Sequence, residues 1–266
     1  MRRLSLIFML VSLLLLGRVH AEVYGYQDIT SGVASLLSTF RQNVIASASA
    51  LGYTPDQLQA IWGDYYYLLE KGLPSLQPDP VLQEAARRCV VVNLEAETVS
   101  YKPDESTLKE MGFDPFIAGA ILTAVGFYNY ISPEKAMEEM LVRLAPGSLT
   151  LSDPESAPLL YPAYTRVGAY LGYGSVQIQG SRVNVYMLCV VLASAKGDLH
   201  TSFLAGRSSA DKTISAFSTT YHRLFTPLYY PDGTYYLHLP PGFYQLRTPD
   251  GMGVLIMVDT PRRIDL

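Results

Sequence analysis

Three histidines in the carboxyl-terminal part of the chain are the residues whose types most readily suggest chemistry. His200, His222 and His238, together with a carboxylate such as Asp198, could in principle bind a zinc ion. Their spacing, however, does not place them on one face of one helix or strand. Isolated histidines beside tyrosines are usually packed or surface residues, so the sequence predicts no metal site.

Two carboxylates, Glu95 and Glu97, could serve as an acid and a base if their surroundings separated their pKa values. Residues two positions apart on a helix face different sides, so a solvated helix end is the simpler role for them. The sequence contains no glycine-rich phosphate loop followed by lysine, no Gly-x-Ser-x-Gly elbow and no HExxH motif. We therefore predict no catalytic residues and no cofactor.

Apolar residues at helical spacing predict the helices that would position such groups. One helix follows Pro80, and a second follows the cap residue Ser132. Residues 22–52 predict a further helix, and the Thr-Pro-Asp cap at 54–56 begins another that runs to about Lys71. The apolar positions are Leu82, Ala85, Ala86, Cys89, Val90 and Asn93; Met137, Met140, Leu141 and Leu144; and Val33, Leu36, Leu37, Phe40 and Val44.

A nearly continuous apolar run at 183–193 predicts a strand that is covered on both faces, and residues 166–173 are a plausible neighbouring strand. A sheet with helices on both sides is the simplest arrangement of these elements. The sequence thus predicts an α/β fold.

Several segments, in order along the middle half of the chain, resemble the framework of the CAP superfamily, which comprises the cysteine-rich secretory, antigen 5 and pathogenesis-related proteins. The resemblance implies a three-layer α/β/α sandwich of the bacterial type, since the disulfide-rich framework of the eukaryotic members is absent. The segments are GLPSL at 72–76, DPVLQEAA at 79–86, SYKPDEST at 100–107, SPEKAM at 132–137, APGS at 145–148 and YTRVG at 164–168.

The resemblance also implies a pocket of histidines and glutamates, and this chain departs from it at each position. Tyr101 replaces the first histidine, and Ile121 replaces the glutamate. The second histidine aligns with Ser148, or with Ala163 if it is placed as in eukaryotic members. These four side chains cannot supply the ligands that zinc needs. They line either a groove for an apolar ligand or a groove that side chains have filled.

Two hypotheses follow for function. The first is a secreted, non-catalytic CAP-like module that contacts a protein partner or binds a lipid-like small molecule. The alternative is a hydrolase of the cell envelope or of secreted polymers whose catalytic groups lie outside the usual CAP site. The Tyr65-Tyr66-Tyr67 run favours the first, because the three rings point in different directions and at least one must face solvent or a partner.

The amino terminus predicts a cleaved secretory signal over residues 1–21. Arg2 and Arg3 precede an apolar run that is too short to span a bilayer comfortably, and small residues favour cleavage after Ala21. We therefore expect a secreted or periplasmic protein with no transmembrane segment after cleavage. The formal charge of −4 becomes more negative without these arginines, which argues against nucleic acid as a partner.

The mature chain contains two cysteines, Cys89 and Cys189. In an oxidising compartment they could form a disulfide, whereas their apolar neighbours also suit two independent buried thiols.

The predicted organisation has a helical segment at 22–54, a CAP-like domain at 55–195 and a carboxyl-terminal extension at 196–266. Turn motifs predict that the extension is rich in strands from about residue 228, with too few strands to close a sandwich.

Overall fold

The computed structural model describes residues 26–126, 132–151, 157–209, 213–248, 251 and 253–266. The predicted signal peptide lies outside these ranges. The protein is of the mixed α/β class, as the sequence predicts.

A four-stranded sheet forms the centre of the molecule. Its strands are β1 (Gln77–Pro78), β2 (Pro115–Gly126), β3 (Arg166–Ile178) and β4 (Ser181–Ala195), in the order β1-β3-β4-β2. β4 pairs antiparallel with both β3 and β2, and β1 pairs parallel with β3. The apolar run predicted as a doubly covered strand is the central strand β4, so that prediction is confirmed.

Helices lie against both faces of this sheet, because alternate residues of β4 enter two different cores. Leu188, Val190 and Leu192 pack with helices α1 (Tyr26–Gln42) and α7 (Pro133–Thr150) in what we call the α1 core. The residues between them, such as Met187 and Val191, pack in the α5 core with α5 (Pro80–Glu95) and α6 (Glu105–Glu110). The strand periodicity of two therefore defines the layers.

Local signals fix where the helices begin. The Asp79 carboxylate accepts hydrogen bonds from two backbone amides at the start of α5, and the Ser132 hydroxyl caps α7. The apolar faces predicted for both helices are buried, which confirms them. In the amino-terminal helix, Val33 and Leu37 are buried, whereas Leu36 of the same apolar set is 41% exposed.

The tyrosine-rich segment is not one continuous helix, as the sequence predicts, but two helices separated by a 3-10 turn. A capping box between Thr54 and Gln57 begins α3 (Pro55–Trp62), which follows the short helix α2 (Val44–Ala50). The predicted single helix to Lys71 is wrong, since Gly63 has a φ of 52° and ends α3. A 3-10 turn (Gly63–Tyr65) and helix α4 (Tyr66–Lys71) follow, so the chain changes direction at the tyrosines.

After Ala195 the chain forms two further four-stranded sheets. Their strand orders are β11-β10-β6-β7 and β12-β5-β9-β8, and apolar residues from both sheets share one core. Strands therefore begin at Phe203 rather than near residue 228, and they are numerous enough for two packed sheets, which corrects both expectations. The strands are β5 (Phe203–Arg207), β6 (Ser215–Ser218), β7 (Arg223–Phe225), β8 (Leu228–Tyr229), β9 (Thr234–His238), β10 (Gly242–Arg247), β11 (Gly253–Val258) and β12 (Arg262–Arg263).

This carboxyl-terminal unit is attached along the outer edge of strand β2. Arg207 donates a hydrogen bond to the Ala118 carbonyl (2.6 Å), and Arg263 donates one to the Phe116 carbonyl (2.7 Å). Arg263 also forms an ion pair with Glu105 at 2.7 Å. Two carbonyl groups near the start of β2 thus have partners from the extension.

An ion-pair bridge joins the start of α5 to the segment after β4. The Arg166 guanidinium contacts the carboxylate of Asp79 at 2.9 Å and that of Asp198 at 2.7 Å. The hydrogen bonds from Arg166 are the main cause that holds the pKa of Asp198 at about 2. The ionised carboxylate is therefore favoured in the folded state.

The Asp198 bridge predicts a pH-dependent stability. An Asp pKa below its unfolded value of about 3.9 contributes stability above that pH, and the contribution is lost as the pH falls from about 4 to about 2. Because Arg166 is 36% exposed, we expect only about 1 kcal/mol after solvent screening. Urea unfolding of Asp198→Asn at pH 7 and pH 2.5 measures it. At pH 2.5, which is still above the folded-state pKa of about 2, the stability lost in Asp198→Asn should be smaller than at pH 7. It should also be smaller in an Arg166→Met background, where Asp198 keeps the hydrogen bonds from the Thr165 hydroxyl and the Ala195 amide. A loss of the same size in either case contradicts the assignment.

Candidate binding site

The four positions at which the sequence departs from the CAP pattern do not line one groove. Ile121 and Ala163 are buried in the α1 core. Ser148 is also buried, and its hydroxyl donates a hydrogen bond to the Leu144 carbonyl at 3.3 Å. Tyr101 packs instead against the α5 core, on the opposite face of the sheet. The predicted grouping is therefore corrected, because the sheet separates Tyr101 from the other three and side chains fill the space around these.

Tyr101 lies in a loop that Asn93 of helix α5 holds in place. The Asn93 side-chain oxygen accepts hydrogen bonds from the amides of Ser100 (2.8 Å) and Tyr101 (3.0 Å). The Asn93 amide group donates to the Tyr101 carbonyl at 2.8 Å. These three backbone groups of the loop thus have hydrogen-bond partners within the fold.

A pocket of about 590 Å³ lies elsewhere, between the tyrosine-rich segment and the carboxyl-terminal sheets. None of the four positions above contributes to it. We call it the tyrosine pocket. The lining residues that matter below are Asp64, Tyr65, Tyr67, Thr201, Arg223, Phe225 and His238.

The three consecutive tyrosines point in three directions, as predicted. Tyr65 is buried and donates a hydrogen bond to the Thr226 carbonyl at 2.7 Å, so it forms a fixed wall of the pocket. Tyr66 packs against the α1 core and does not line the pocket. Tyr67 is 38% exposed, and its hydroxyl forms a hydrogen bond with Nδ1 of His238. Two of the three predicted partner-binding residues therefore meet at one concave site.

The electrostatics of the pocket favour a neutral ligand. Burial is the main cause that lowers the pKa of His238, so its imidazole is neutral at pH 7. Burial likewise raises the pKa of Tyr67, which keeps the hydroxyl protonated. Two exposed lining residues also form an ion pair: Nη2 of Arg223 lies 3.3 Å from Oδ2 of Asp64, so their charges balance each other. The Arg223 guanidinium also stacks over the Phe225 ring, with 5.1 Å between its central carbon and the ring centroid.

The pocket offers aromatic rings, hydroxyl groups and one ion pair, a set suited to binding. His200 and Asp198 line a different, shallower pocket near Arg166, whereas His238 lies in the tyrosine pocket. Among the residues that the structure describes, no three His, Cys, Asp or Glu side chains come close enough together to hold a metal ion.

The sequence could not reveal most of this site. Asp64 and Arg223 are far apart along the chain, and neither belongs to a motif. Tyr65 and Tyr67 of the tyrosine run, and the histidine at 238, are the residues singled out from the sequence that lie in it.

Within the described residues, no helix combines the length and apolar character that crossing a membrane requires. No protein-family model matches this chain, and no curated protein matches it either.

Proposed function

We propose that this protein is a secreted or periplasmic, non-catalytic module with a CAP-type three-layer sandwich, which binds its ligand in the tyrosine pocket. Helices on both faces of the central sheet agree with the layering that the resemblance implies. The segments between residues 72 and 168 that resemble the CAP framework follow one another in the same order as in that family, which also supports this fold.

The tyrosine pocket is the observation that carries the binding proposal. Where the resembling family has histidines and glutamates, this chain has buried residues such as Ile121 and Ala163. A concave site with a half-exposed tyrosine has formed instead against the carboxyl-terminal unit. The ligand is a neutral, largely apolar small molecule, or an apolar side chain presented by a partner protein, since aromatic pockets favour both.

Binding of the neutral apolar dye Nile red, followed by its fluorescence, tests the proposal. We expect Tyr67→Ala to weaken binding about tenfold, because the variant removes an aromatic wall of the pocket. Thr201→Trp should block the site, since Thr201 is an exposed lining residue. The matched control is Tyr66→Ala, whose ring does not line the pocket and which should bind within about twofold of the parent.

Equal dye binding by all three variants and the parent would overturn the pocket assignment. The non-catalytic part has its own test, which is the zinc content of the purified protein after dialysis. Zinc retained at one ion per chain would contradict that part and favour the alternative of a metal-dependent hydrolase.

A further inference from the structure

Two cysteine side chains meet in the α5 core. Cys89 belongs to helix α5 and Cys189 to the central strand β4, and both are fully buried. Both side chains lie in the same buried cluster, between a helix and a strand that contact each other directly, and, besides burial, the Cys89 thiol is one of the groups that act on the pKa of Cys189. Sequence alone left open whether the two residues meet at all.

Oxidation of this pair would not leave the Tyr101 carbonyl without a partner. The Cys89 thiol donates a hydrogen bond to the Tyr101 carbonyl at 3.2 Å, and this bond disappears when the thiol proton leaves. The same carbonyl accepts a second hydrogen bond, from the Asn93 side chain at 2.8 Å. It therefore stays satisfied in the oxidised protein.

We propose that Cys89 and Cys189 form an intramolecular disulfide that fixes helix α5 to strand β4. The oxidant is a disulfide of an extracytoplasmic compartment, carried by a protein or by glutathione. One cysteine thiolate attacks the donor disulfide, which gives a mixed disulfide and one donor thiolate. The other cysteine thiolate then attacks the mixed disulfide and releases the second donor thiolate. Two cysteine thiols lose two electrons, the donor disulfide is reduced, and the two protons pass to the donor thiolates.

Burial determines when this exchange takes place. It raises the pKa of the Cys189 thiol well above its usual range, and the thiolate is the reactive species. Exchange therefore occurs while the chain folds, before α5 covers β4. The proposal rests on the proposed export of the chain and is independent of the tyrosine pocket.

The experiment is refolding of the reduced full chain, with reduced glutathione alone or with a mixture of reduced and oxidised glutathione. Each product is unfolded without reductant, alkylated with a maleimide and weighed by mass spectrometry. We expect two maleimide groups after refolding under reducing conditions and none after refolding in the redox mixture. Two free thiols in both products, or a disulfide-linked dimer, would overturn the proposal.

Single variants separate the disulfide from ordinary core packing. The parent refolded in the redox mixture should melt roughly 10 °C higher than the reduced parent, since the bridge closes a long loop. In Cys89→Ala and in Cys189→Ala the two refolding conditions should give melting temperatures within about 1 °C of each other. The smaller alanine side chain weakens core packing to the same extent under both refolding conditions, so it lowers both melting temperatures of the variant equally. An equal difference in parent and variants would therefore contradict the bridge.

Discussion

Replacing Arg41 with methionine should lower the free energy of unfolding by about 3–5 kcal/mol, one of the two largest effects that we expect in this protein. The Arg41 side chain is fully buried at the end of helix α1. Burial lowers its pKa to about 10, so it still carries its charge at pH 7.

The Arg41 guanidinium binds four backbone carbonyls at once. Its Nε donates to the Pro74 carbonyl at 3.0 Å, Nη1 donates to those of Leu159 and Tyr161 at 2.7 and 3.1 Å, and Nη2 donates to that of Tyr164 at 3.0 Å. Methionine has a similar length but no donor, so each of these carbonyls would lose a hydrogen bond, although that of Tyr161 also accepts one from the Tyr164 amide. Lysine would keep the charge without the planar fork, so Arg41→Lys should also be destabilising.

Urea denaturation at pH 7 measures this effect. The matched control is Arg88→Met, because Arg88 is half exposed and forms only a surface ion pair with Glu84. That control should lose less than about 1 kcal/mol. If Arg41→Met unfolds at the same urea concentration as Arg88→Met, the carbonyl network does not stabilise the fold as we infer.

Replacing Gly168 with alanine should cost about 3 kcal/mol or more. Gly168 lies in strand β3 directly beneath helix α5, with no space for a side chain. A Cβ atom there would lie 2.1 Å from the Leu82 carbonyl carbon and 2.2 Å from the Gln83 nitrogen. Both neighbours are backbone atoms, so the whole helix would have to move away from the sheet.

Thermal unfolding of Gly168→Ala and Gly197→Ala provides the comparison. A Cβ at Gly197 meets no atom within 4 Å, so this variant should melt within about 2 °C of the parent. A similarly small change in Gly168→Ala would show that α5 does not pack as closely on β3 as the structure has it.

Gly168 also illustrates what the sequence could predict. It ends the YTRVG segment of the CAP resemblance, and its place in the structure gives that segment a packing role. Caps such as Thr54 and Ser132, and the apolar run of β4, act over a few residues and were predictable for that reason. Contacts between distant segments leave no such local pattern.

The parts that the sequence did not predict depend on those distant contacts. The first carboxyl-terminal strands are only three to five residues long, too short for alternation to be recognised. The separation of Tyr101 from Ile121 depends on which face of the sheet each one packs against. The tyrosine pocket exists only because β7 and β9 approach the 3-10 turn. These are properties of tertiary packing rather than of composition.

The arginine contacts along β2 have a consequence for how this architecture can evolve. An open strand edge invites pairing with other chains, and here Arg207 and Arg263 of the carboxyl-terminal unit each donate a hydrogen bond to one carbonyl of β2. A gene rearrangement that transferred the central sheet and its helices without the carboxyl-terminal unit would expose this edge of β2 to solvent. Removing the carboxyl-terminal unit would therefore take away both these contacts and the Arg223, Phe225 and His238 side of the tyrosine pocket.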